Sequence, residues 1–152
     1  MTSKAAVPSA MSFNSSLQAR VDVWLASDEA LRFPHAELYR HLPGLYRFLV
    51  EMALDPRVPE PERTCTLSAV KYVVAPHDLI PEAVLGTSGF REDLVLAAMM
   101  TDRLCDACGS ALVLEHWPAG GNPQEIARTI LEAATGMVGA EICERLRAWL
   151  PS

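Results

Sequence analysis

The sequence predicts an all-α protein, a compact bundle of about five to seven helices. Three observations predict it. Apolar residues recur almost everywhere at the one-face spacing of a helix. No apolar–polar alternation runs beyond four or five residues, so strands find no support. Proline and glycine clusters punctuate the chain between the periodic segments. Half of the 152 residues are hydrophobic and 21% are charged, which is enough apolar material for one core and too much for a disordered chain. The length fits one domain, read as a flexible tail over residues 1–13 and a helical domain over 14–152.

The first helix opens at Ser15-x-x-Gln18, the form of a capping box, and carries Leu17, Val21, Trp24 and Leu25 on one face. Leu31, Phe33 and Pro34 end or kink it, and residues 36–42 make a short helical piece. Pro43 lacks an N–H and pushes Leu42 off helical angles, but it suits the first turn of the next helix. That helix runs through Leu45, Phe48, Leu49, Met52 and Ala53 to Leu54.

Pro56, Pro59 and Pro61 then make residues 55–61 a rigid connector. A third helix follows to Val74, with Leu67, Val70 and Val74 as its expected buried line. Residues 75–82 read as a proline-bracketed loop, with Gly86 and Gly89 beyond it. A long helix is expected from Arg91 to His116. Its wide apolar arc includes Leu94, Ala97, Ala98, Thr101, Leu104, Cys105, Cys108, Ala111 and Leu112, while Asp102 and Asp106 mark a narrow wet face. So apolar a helix belongs at the centre of the bundle. Residues 118–121 form a turn, and Asn122, Pro123 and Glu125 supply an N-cap, an N1 proline and an N3 acid. Ile126, Ile130 and Leu131 face inward. Gly136 is expected to separate a last helix striped by Val138, Ile142, Leu146, Trp149 and Leu150.

Charge and cysteines exclude several classes. Lys and Arg number 13 against 19 Asp and Glu, a net −6, where a protein tracking nucleic-acid phosphates carries the opposite sign. No apolar run reaches the roughly 18 residues of a membrane span, and the start of the chain lacks the form of a secretory signal, so a cytoplasmic protein is expected. Cys65, Cys105, Cys108 and Cys143 therefore stay reduced. Cys105-x-x-Cys108 lies inside an apolar helical run, with only His116 and Cys143 as single further ligands, and reads as core packing. Tyr39, Tyr46, Phe48 and Trp24 read as core, and Arg40, His41 and Arg47 as a solvated helix face. There is no Ser-His-Asp order, G-x-S-x-G elbow, H-E-x-x-H or Walker loop.

The distinctive stretch is Tyr72-Val73-Val74-Ala75-Pro76-His77-Asp78-Leu79-Ile80-Pro81-Glu82, then Gly86, then Gly89-Phe90-Arg91-Glu92-Asp93-Leu94. With the preceding Leu54-Asp55-Pro56-Arg57-Val58-Pro59, it resembles the YkvA family of small helical bacterial domains, over residues 45–104. Glu82 stands where that family usually has Asp, and Glu92 replaces the first member of an Asp pair, so each arm is longer. The resemblance implies a helical fold with an ordered Pro-x-Asp-Leu-Ile-Pro-Glu loop between central helices, and no agreed activity.

On their own chemistry, Asp78 suits a cap for a short turn, and Glu92 and Asp93 suit the first turn of a helix, where the macrodipole favours negative charge. The motif residues Pro76, Asp78, Pro81, Glu82, Gly89, Glu92 and Asp93 thus have a structural reading. A convergence of Asp78, Glu82, Glu92 and Asp93 would instead call for a counter-ion, Ca²⁺ or Mg²⁺, unless Arg63, Lys71 or Arg91 neutralised it. Two functions follow as expectations. The first is a non-catalytic protein-interaction or adaptor domain, with Trp117, Val95 and Met99 as exposed apolar candidates and self-association included. The alternative is a divalent-cation-dependent hydrolase built on the carboxylates.

Overall fold

The computed structural model describes residues 15–33, 35–79, 88–117 and 120–150. The tail 1–13 and the loop residues Pro81 and Glu82 lie outside them. Among the described residues there are seven α-helices and no strand, as the periodicity requires. Helix α1 covers 15–25. Two short 3-10 helices, Glu29–Arg32 and Ala36–His41, lead into α2, Leu42–Leu54. Next come α3 (Glu60–Leu79), α4 (Ser88–Cys108), α5 (Ser110–Glu115), α6 (Pro123–Val138) and α7 (Ala140–Trp149). Helix α4 is the hub, packed against α2, α3, α5, α6, α7 and the second 3-10 helix. Its Leu94, Leu96, Ala97, Ala98, Met100 and Leu104 are fully buried, which explains its apolar composition.

Several boundaries differ from the sequence expectation. Helix α3 runs to Leu79, so Pro76 lies in its last turns rather than opening a loop. Pro76 costs α3 only the one N–H that would have bonded the Tyr72 carbonyl, which is tolerable near a helix end. Helix α4 begins at Ser88, not Arg91, taking Gly89 into its first turn. The motif loop is therefore shorter than residues 75–90.

The buried line of α3 is Cys65, Thr66, Ala69 and Val73, whereas Leu67 is exposed. Of the expected line Leu67, Val70 and Val74, Val70 is partly buried against the core and the Val74 side chain lies outside the described residues. Helix α3 packs against α2 and α4.

The expected single helix over 91–116 is two helices. Gly109 stands between them at φ 80°, ψ 159°, a region essentially closed to residues with a Cβ. The second break falls at Gly139, with φ 88° and ψ 157°, and not at Gly136, which sits inside α6. The N-cap of α6 forms as expected: the Asn122 side chain accepts from the Gln124 N–H at 2.8 Å. The wet face of α4 is in fact a polar seam. The Gln124 amide donates to Asp102 at 3.0 Å and Asp106 at 2.8 Å, and Arg128 donates to Asp102 at 3.1 Å. Trp24, Tyr39, Tyr46 and Phe48 are core residues.

Candidate functional site

The most developed polar constellation begins with a proline. Pro56 pushes the residue before it out of helical angles, and Asp55 is extended at φ −88°, ψ 117°, ending α2. Its carboxylate folds back on the following turn, accepting from the Arg57 backbone N–H at 2.9 Å. The Arg57 guanidinium adds bonds of 3.0 Å and 2.7 Å, the two-pronged geometry in which Arg holds a carboxylate most firmly. The same guanidinium reaches Glu115 of α5 at 2.9 Å.

Just beyond α5, His116 closes the cluster. Its Nε2 lies 2.8 Å from Asp55 and its Nδ1 3.3 Å from Glu51, which in turn takes Arg47 at 3.0 Å. Asp55 is only 7% exposed. The Arg57 guanidinium and then His116 hold its carboxyl well below the usual range. Burial alone would lower the His116 pKa, but the bonds to Asp55 and Glu51 overcome that and raise it. With a carboxylate at each ring nitrogen, only the doubly protonated imidazolium satisfies both. No ring nitrogen is left to take a substrate proton, so the cluster acts as an ionic clamp. It fastens the end of α2 and its connector to the end of α5.

The motif acids behave differently from a convergent cluster. Glu92 accepts from the Tyr72 hydroxyl at 2.9 Å, joining α4 to α3. The Tyr72 phenol is pushed well up, first by burial and then by that bond. Asp93 is buried and engaged within the protein. Asp78 and Gly89 have their backbones in α3 and α4, while the side chains of Pro76 and Asp78, and Glu82 as a whole, lie outside what is described. Among the described residues, no group of three or more His, Cys, Asp or Glu side chains is placed to hold a metal ion.

Arg103 donates to Glu62 at 2.7 Å and approaches the Cys65 sulfur at 3.4 Å. Cys105 and Cys108 pack half-buried against the core. Burial first, then nearby Asp102 and Asp106, pushes the Cys105 thiol up to about 11, so it stays protonated at neutral pH.

The apolar surface candidates are corrected. Trp117 is 6% exposed, its ring edge-on to Phe48 at 5.8 Å and its indole N–H donating to the Gly120 carbonyl at 3.1 Å. Val95 and Met99 are buried in α4. Hydrophobicity alone does not say whether a residue meets core or water, and all three found core. The exposed leucines include Leu54 and Leu114, at 58% and 50%. They are the chain neighbours of Asp55 and Glu115. Beside Leu114 opens a cavity of about 200 Å³, also walled by Cys105, Ser110, Val113, Asn122, Pro123 and Gln124.

The sequence held half of this site. An Asp-Pro pair at a helix end with Arg two residues on is legible as a turn. Nothing local in the sequence marks His116, 61 residues from Asp55, as its partner.

Fold and site together define an all-α bundle with an ionic clamp between its second and fifth helices. No family model, curated protein or solved structure matches the chain.

Proposed function

We propose that the protein is a non-catalytic interaction or adaptor domain, a YkvA-like helical module of a bacterial cytoplasmic protein. The observation that supports the reading is the placement of Leu54 and Leu114. Both are largely exposed, and each sits next to a residue of the Asp55–Arg57–Glu115–His116 clamp. A clamp that fixes the backbone beside exposed apolar side chains lowers the ordering cost of binding through them. No described helix is long and apolar enough to cross a membrane.

Immobilised protein is expected to retain a specific protein partner, or a second copy of itself, from an extract of the source cell. Leu54→Glu together with Leu114→Glu is expected to abolish retention without lowering the melting midpoint. No reproducible partner for the unsubstituted protein, combined with a monomer in sedimentation, rejects the reading.

The hydrolase alternative rests on Asp78 and Glu82, whose side chains are outside the described residues, on Glu92, which already accepts from Tyr72, and on Asp93, which is buried and engaged within the protein.

A further inference from the structure

At the start of α4 a second constellation stands apart from the clamp. The Trp24 and Tyr39 rings stack with centroids 4.8 Å apart, and Phe33 meets Trp24 edge-on at 5.4 Å. The Arg91 guanidinium lies over the Phe33 ring, 5.1 Å from its centroid. Arg91 forms no ion pair among the described residues, and the carboxylate next to it in the chain, Glu92, is taken by Tyr72. Two polar atoms of this stack, Tyr39 Oη and Trp24 Nε1, are buried with no hydrogen-bond partner. Tyr39 is 0% exposed and Trp24 5%.

The chemistry of these three groups specifies what they would bind. Indole N–H and guanidinium can only donate, and the phenol has a proton to give. The complement is an acceptor. A neutral acceptor would satisfy the hydroxyl and the indole but leave the guanidinium charge without a counter-charge; an anion answers all three. The positive charge of Arg91 reaches the Tyr39 hydroxyl, where it opposes the upward push of burial on the phenol. With Tyr39 and Trp24 almost wholly buried, only a small ligand could reach their polar atoms.

We propose that the juxtaposed Trp24, Phe33, Tyr39 and Arg91 side chains form a binding site for a small oxyanion, a carboxylate or a phosphate. It stands independently of the interaction surface at Leu54 and Leu114.

The test is thermal melting of the full chain with inorganic phosphate or acetate, at ionic strength held constant with chloride. A ligand bound only by the folded form raises the midpoint saturably. A saturable rise is expected with at least one of the two anions, and whichever acts identifies phosphate or carboxylate as the ligand class. Arg91→Met keeps an apolar stem over Phe33 and is expected to remove the response. Tyr39→Phe deletes only a hydroxyl that has no partner, so it folds, and it is expected to raise the half-saturating concentration about tenfold, one hydrogen bond to a charged group. The Trp24 indole N–H resonance is expected to move during the same titration. No midpoint change with either anion, or an unaltered response in both variants, overturns the proposal.

Discussion

Glycine positions that look alike in the sequence do different work. Gly109 and Gly139 hold φ near 80–90° with ψ near 160°, and a Cβ at either would be strained although space is open around it. Gly136 is helical, exposed and equally uncrowded. Gly109→Ala is therefore expected to destabilise by about 1–3 kcal/mol, and Gly136→Ala to stabilise by about 0.5–1 kcal/mol. Urea denaturation measures both. Equal effects of the two substitutions would contradict the assigned backbone. The sequence shows three glycines near helix ends, but it does not say which one the packing of α6 and α7 against α4 leaves to turn the chain.

Polar contacts that join pairs of elements include the clamp, the Tyr72–Glu92 and Arg103–Glu62 bonds between α3 and α4, and the Gln124–Asp102–Asp106 seam between α6 and α4. Of these the clamp alone contains a group that titrates near neutrality. His116 has a raised folded pKa, so its stabilisation is complete below the unfolded value of 6.5 and is lost as pH rises through the higher folded value. Asp55 has a lowered folded pKa, so its contribution is present above 3.8 and is lost as pH falls towards the folded value. The clamp is therefore strongest between about pH 3.8 and 6.5. His41 runs the other way: burial, then Arg40, lowers its pKa, so it favours the fold as pH rises. The difference in stability between unsubstituted protein and His116→Gln isolates the clamp. That difference is expected to shrink from pH 6 to pH 9, and a constant difference would show that His116 is not held as an imidazolium.

For the whole molecule, α4 decides the architecture. Its buried residues meet α2, α3, α6 and α7 together, which makes it the element the others pack around. The interaction and hydrolase readings also separate at this scale. Saturating Ca²⁺ or Mg²⁺ is expected to leave the melting midpoint where EDTA leaves it. A rise of several degrees with either cation would favour the carboxylate site of Asp78, Glu82, Glu92 and Asp93 instead.

What the sequence determined by itself was the all-helical class, the central place of α4, the Asn122 cap and the connector after Leu54. These are local consequences of periodicity, capping groups and missing N–H donors. Leu42, by contrast, expected off helical angles before Pro43, is helical at φ −57°, ψ −49° and opens α2. Tertiary structure decided the rest. It took Pro76 into α3, split the fourth helix at Gly109, and buried Trp117, Val95 and Met99. It also brought His116 to Asp55. Each of these depends on which surfaces meet across tens of residues of chain, and a pattern of neighbours along a sequence carries no record of that.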